Sequence, residues 1–168
     1  MVVAVQPEGV KLKGYYPGVV GKIIQLHAVY YHENWGFDVS FETQEGKELS
    51  EFIRDFKEGR DGFWVAELNK SFAGSIAIDG REAEKEGARL RWLIVEPRFH
   101  GKGIGTLLVK EAVQFCKKAG YRRIVLWTFE GLQAARHVYE KQGFRLAMEK
   151  KHQQWGQYIN EQMFELRW

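Results

Sequence analysis

The sequence of 168 residues holds one cysteine, Cys116, and three prolines, Pro7, Pro17 and Pro97. A lone cysteine excludes an internal disulfide and a thiolate zinc site, which fits a reducing compartment such as the cytosol. No apolar run approaches the ~18–20 residues that cross a bilayer, so no membrane association is expected. The segment Met1–Gly9 has neither a basic stretch nor a full apolar stretch of the kind that directs secretion. Basic residues exceed acidic ones by only 25 to 22, and they are spread along the chain. A nucleic-acid partner would call for a massed basic stripe, so none is expected. His27 and His32 lie five apart without a matching carboxylate, and no metal site is expected.

What is abundant is aromatic residues and glycine. Six Trp, seven Tyr and eleven Phe stand beside 18 glycines. Glycine is thus roughly 11% of the chain against a usual ~7%. With proline scarce and aromatics plentiful, that excess does not mark disorder. It raises the question of where the backbone needs freedom.

Hydrophobic periodicity answers part of it. Val10–Lys13 reads as a strand, and Pro17 opens a helix with apolar residues from Val19 to Tyr31 at helical spacing. An aromatic loop with Trp35, Phe37 and Phe41 follows. A second helix then carries Leu49, Phe52, Ile53 and Phe56, ended by Gly59 and Gly62. Phe63–Leu68 and Phe72–Ile78 form a hairpin across Asn69-Lys70. The acidic stretch from Arg81 to Gly87, with Glu82, Glu84 and Glu86, reads as an exposed turn into the strand Leu90–Val95. A long helix covers Ile104–Ala119 with a broad apolar face that includes Cys116, which reads as a buried structural thiol. Arg123–Thr128 is a strand, Leu132–Gln142 a short helix, and Phe144–Lys150 and Glu161–Arg167 are strands. Gly120 and Gly143 fall where helices close in a left-handed residue. The order β-α-α-β-β-β-α-β-α-β-β implies an α/β fold in one domain spanning 1–168, a mixed sheet with helices on both faces.

The chemistry concentrates in Leu93-Ile94-Val95-Glu96-Pro97-Arg98-Phe99-His100-Gly101-Lys102-Gly103-Ile104-Gly105-Thr106. A strand runs through a glycine-rich turn into a helix start, where free N–H groups and the positive dipole end suit an anion. Glycines at 101, 103 and 105 let a phosphate or pyrophosphate approach the backbone. The spacing is neither the GxGxxG of dinucleotide folds nor a nucleotide P-loop, since Lys102 precedes Gly103.

The pattern Arg98-x-x-Gly101-x-Gly103-x-Gly105 resembles the acyl-CoA pyrophosphate loop of the GNAT N-acetyltransferases. A second block, Ala134-Ala135-Arg136-His137-Val138-Tyr139-Glu140-Lys141-Gln142-Gly143-Phe144, resembles that family's motif B. The likeness is specific over about 88–150. Trp127-Thr128-Phe129, the Ala-Ala-Arg and Trp155-Gly156 are further similar to acetyltransferase domains found fused to MarR-type regulators, although no winged-helix segment precedes them in this sequence.

The resemblance implies a GNAT-like fold with a splayed central sheet, acetyl-CoA as co-substrate and direct transfer to an amine in a ternary complex. Leu93, Ile94 and Val95 would then offer backbone groups to the pantetheine. Arg98, His100, Gly101, Lys102, Gly103, Ile104, Gly105 and Thr106 would surround the pyrophosphate. Tyr139 matches the tyrosine that serves as general acid in many members, the other reading being a core aromatic. The base stays open among His32, Glu33, Glu96, Glu130, His137 and water. Two positions depart from the family pattern. His100 stands where arginine is common, and Leu132 stands for an asparagine that commonly contacts the cofactor arm. Tyr30, Tyr31, Trp35 and Phe37 read equally as an acceptor pocket and as core. The acceptor is a small-molecule or peptide amine, and exposed C-terminal edge strands leave room for a homodimer. The competing reading is a non-catalytic acyl-CoA-binding regulatory module.

Overall fold

The structure is a computed structural model and describes residues 7–168. The N-terminal targeting reading therefore falls mostly outside the described residues. The elements are β1 (Val10–Lys13), α1 (Val19–Trp35), α2 (Val39–Arg54), β2 (Gly62–Leu68), β3 (Ser71–Asp79) and β4 (Ala88–Val95), followed by α3 (Ile104–Lys118), β5 (Arg123–Phe129), α4 (Gln133–Lys141), β6 (Arg145–Gln154) and β7 (Gln157–Arg167). This is the order expected from periodicity. Among the described residues no helix is long and apolar enough to cross a membrane.

Seven strands form one sheet in the order β1-β2-β3-β4-β5-β7-β6. Alternation along the strands sends residues to two faces. On one face Val19, Ile23, Leu49 and Phe52 of α1 and α2 pack on Phe63, Val65, Ala77 and Trp92. On the other, Leu108, Ala112 and Cys116 of α3 and Tyr139 of α4 pack on Ala66, Ile76, Ile78, Leu90 and Leu126. Cys116 is fully buried, and burial pushes its thiol up to about 12, so it stays protonated and structural.

Local signals set the boundaries. Asn69 and Lys70 have φ of 51° and 67°, the paired left-handed residues of a tight hairpin turn. Helix α3 closes through Gly120, with the Tyr121 N–H donating to the Cys116 carbonyl. The exposed turn at 82–86 carries all three of its glutamates at the surface. One expectation needs correction: Trp35 and Phe41 do not lie in a loop. Trp35 ends α1 and Phe41 sits in the first turn of α2, leaving only residues 36–38 between them. Gly36 at φ 74° stops α1, and the Asp38 carboxylate accepts the Ser40 N–H at 2.9 Å to start α2. Phe56 lies beyond α2 and is partly exposed. The last two strands are also longer than expected, joined by a tight turn at Trp155 and Gly156 with φ of 53° and 80°.

The feature that positions a site is the junction of β4 and β5, the sheet's parallel pair. Only Ala88↔Ile124 and Arg89↔Val125 are in register there. Beyond Arg89 the strands part, so β4 from Leu90 to Val95 has no strand partner on that side. At the same place β4 is bulged: Ser75 pairs Ile94 while Ala77 pairs Arg91, leaving an extra residue on β4. Trp92 takes φ 50°, and its carbonyl is held by the Ser75 hydroxyl at 2.9 Å. Gly74 lies opposite. A Cβ there would come within 2.5 Å of the Ile94 carbonyl oxygen, so the close approach requires glycine.

Candidate active site

Two cavities meet at this opening. The larger, about 610 Å³, runs from the parted edge of β4 to the start of α3. Leu93, Ile94, Val95, His100, Gly101, Gly103, Ile104, Gly105 and Thr106 line it, together with Ala134, Ala135 and Val138 of α4. Gly101 and Gly103 both have φ 79° and carry the chain in left-handed turns into α3. No side chain caps that helix. Its first-turn N–H groups thus face the cavity with the positive end of the dipole and await an acceptor. A diphosphate fits this cradle in charge and in hydrogen-bonding polarity.

Two expected phosphate neighbours do not line that cavity. Lys102 is exposed, and the Arg98 guanidinium lies 4.6 Å over the Phe99 ring. His100 lines it, but its Nε2–H donates to the Val95 carbonyl at 2.9 Å, tying the loop back to the end of β4. Its role in the fold is that of a clasp.

The second cavity, about 340 Å³, adjoins the first along a shared boundary of Tyr31, Leu93, Leu132 and Ala135, which line both. Leu132, in place of the usual asparagine, is therefore an apolar part of that boundary. Tyr139 lines the second cavity. It is 6% exposed, and burial raises its pKa well above the usual phenol value, so the hydroxyl is a proton donor throughout the neutral range. Its ring also packs against Phe144 and Phe164, so this cavity-lining residue is at the same time a core aromatic.

Helix α2 and strand β4 supply charge. The Trp92 indole N–H donates to Glu45 at 2.8 Å, and Arg91 meets Glu48 at 2.6 Å. Burial first, then the Glu48 carboxylate, raises the pKa of Glu45. Arg89 lines the same cavity, as do Gln154 and Glu161 from the β6–β7 hairpin. His27 is buried there, donates Nδ1–H to the Ile23 carbonyl at 2.8 Å and has its pKa lowered to about 4 by burial, which keeps it neutral.

The model of the Acetyltransferase (GNAT) family matches residues 23–144. The chain belongs to the GNAT acetyltransferase family. An uncharacterized N-acetyltransferase of Methanocaldococcus jannaschii is 35% identical over 92 residues, 52% of this chain and 41% of that protein. N-acetylaspartate synthetase of Danio rerio is 36% identical over 83 residues, 49% of this chain and 29% of that protein. The chain thus spans less than half the length of these relatives. A putative acetyltransferase from Salmonella typhimurium, solved with its cofactor acetyl-CoA, superposes with a TM-score of 0.71 at 14% identity, covering 95% of this chain and 94% of that one. That likeness shows a shared GNAT fold.

Within this GNAT domain, several expectations are redrawn. Tyr30 and Trp35 border the glycine-loop cavity, Tyr31 borders both, and Phe37 is core at 2% exposure among Phe41, Phe129 and Trp155. His32, Glu33, Glu96, Glu130 and His137 all lie outside the Tyr139 cavity, whereas Glu45, Glu48, Arg89 and Arg91 lie in it. Sequence reasoning missed those four. Glu45 and Glu48 sit on a helix rich in ordinary surface charge, and Arg89 and Arg91 alternate with apolar residues as any half-exposed strand would. The alternation itself, Arg89-Leu90-Arg91-Trp92, was the available signal. Among the described residues no cluster of His, Cys, Asp and Glu could hold a metal.

Proposed function

We propose that the chain is an acetyl-CoA-dependent N-acetyltransferase that passes an acetyl group directly to a primary amine. The observation that carries this reading is the pair of adjoining cavities at the opening between β4 and β5, with four lining residues in common. One has the uncapped helix start that a diphosphate requires, and the other has a buried tyrosine and a half-buried carboxylate. Both relatives' names describe N-acetyl products or transfer, which supports an amine as acceptor.

Acetyl-CoA supplies the activated acyl group. The free edge of β4 offers N–H groups where an oxyanion forms, a stabilisation that donors held in place before reaction provide. Glu45, its carboxylate oriented by the Trp92 indole, takes the proton that an ammonium must lose before it can attack. Tyr139 gives its hydroxyl proton to the departing thiolate. Glycines at 101, 103 and 105 with Ile104 and Thr106 hold the diphosphate, and Leu93 to Val95 hold the arm.

A non-catalytic acyl-CoA-binding module would need the first cavity only, and the polar second cavity favours the enzyme. The deciding experiment is release of CoA from acetyl-CoA across a panel of small amines, amino acids and peptides. Amine-dependent release supports the proposal. Tight acetyl-CoA binding with no release from any amine would establish the binding module instead.

A further inference from the structure

The second cavity holds more polar chemistry than proton transfer needs. Among the described residues four buried side-chain atoms lack a hydrogen-bond partner: Arg89 Nε, His152 Nε2, Gln154 Oε1 and Asn160 Oδ1. Two of these residues, Arg89 and Gln154, line this one cavity. One is a cationic donor and the other a neutral acceptor. Buried polar atoms are nearly always satisfied, so two residues with orphaned atoms of opposite kind, both lining one cavity, suit a ligand with both polarities.

Arg91, two residues along the strand, shows the contrast. Its guanidinium meets Glu48 at 2.6 Å and Asp79 at 3.7 Å and stacks 4.2 Å from the Trp92 ring. Arg91 thereby consumes Glu48. Arg89 enters no ion pair among the described residues, although it sits at the last paired position before β4 and β5 part. In the same cavity, Glu45 on α2 takes its one side-chain hydrogen bond among the described residues from the Trp92 indole. The cavity is bipolar. A purely cationic amine would lie against Arg89, and an anion without an amine would lie against Glu45.

We propose that Arg89 binds a carboxylate of the acceptor, so that the acceptor is an amino acid or a similarly small amine bearing a carboxylate, its nitrogen turned toward Glu45 and Gln154. This rests on the N-acetyltransferase reading. A planar guanidinium matches a carboxylate with two parallel hydrogen bonds, and the 340 Å³ available suits a compact molecule. Burial and the neighbouring Arg91 lower the pKa of Arg89, and a carboxylate beside it would reverse that penalty.

The test uses matched ligands on the full chain: L-amino acids, their carboxamides, diamines of similar length and phosphoethanolamine. Binding to the CoA-saturated protein is measured by calorimetry, and CoA release from acetyl-CoA is measured in parallel. The expected result is that at least one amino acid exceeds its carboxamide by about tenfold or more in Kd and in kcat/KM, the loss typical of an unpaired charge. In Arg89→Gln that ratio should fall to about twofold or less, with Arg89→Lys intermediate. Amides or diamines that equal the amino acids overturn the inference while leaving the enzyme intact, and better binding of phosphoethanolamine overturns the carboxylate assignment. Carboxylate-dependent binding without any turnover upholds the cavity assignment and sinks the enzyme reading. No binding by any member overturns the inference.

Discussion

Tyr139 and Glu45 face one cavity with opposite proton affinities for their task. Burial holds the Tyr139 phenol protonated, so Tyr139→Phe removes a donor without removing the ring that packs on Phe144. kcat should fall about 10²-fold or more while acetyl-CoA affinity stays within about twofold, as for loss of a general acid. Unchanged turnover would end that assignment. As the proposed base Glu45 would act in its charged form, and burial raises its pKa. Activity should therefore decline as pH falls through that raised value, at higher pH than for an ordinary glutamate. Glu45→Gln should lose kcat at neutral pH and recover part of it at alkaline pH, where the amine is already free; a pH–rate profile parallel to the wild type would exclude the base role. Only one of the two residues was legible in the sequence. Tyr139 stands in a motif with fixed spacing, whereas Glu45 is one of several glutamates on α2, and only folding brings it beside Trp92, 47 residues away.

At the scale of elements, the glycine-rich turn and the bulge in β4 create the site between them. The turn was visible because three glycines in five positions are rare outside a backbone that must turn sharply. At Gly103 the φ of 79° at the start of α3 makes any side chain strained, although space for a Cβ exists. Gly103→Ala should cost about 1 kcal/mol in local backbone strain and weaken acetyl-CoA binding by about fivefold or more, since the strain shifts the N–H groups that face the diphosphate. Calorimetry and thermal melting on the same sample check both numbers, and wild-type affinity would show that those N–H groups do not carry the contact. The bulge was not legible. Nothing in Arg-Trp-Leu-Ile marks an extra residue, because the cause lies on β3, in Gly74 and the Ser75 hydroxyl. The aromatic cluster was misplaced for a related reason: Trp35, Phe37 and Phe41 crowd a short sequence window like a loop, yet Gly36 and Asp38 cut two helices within it.

For the whole molecule, the order of elements follows from periodicity, and the candidate site follows from one departure from regularity: strands β4 and β5 pair at two positions and then diverge. The divergence opens two cavities that share Leu93, Leu132, Ala135 and Tyr31 in their linings, and on the proposed reading donor and acceptor would occupy them together. A covalent acetyl-enzyme would need a nucleophile where the cavities adjoin; those four residues supply no thiol, amine or imidazole, and burial holds the Tyr31 hydroxyl protonated. Cys116 is buried on the sheet-facing side of α3 with its thiol pushed up to about 12. Initial rates with both substrates varied should therefore intersect, as a ternary complex demands, and mass spectrometry after incubation with acetyl-CoA alone should find no acetylated chain. Parallel lines with a trapped acetyl group would refute direct transfer. A bulky side chain at the shared boundary gives the complementary result. Ala135→Phe adds bulk at a residue that lines both cavities, so it should raise KM for acetyl-CoA and for the amine together, whereas a change at a residue lining one cavity alone should move one KM alone.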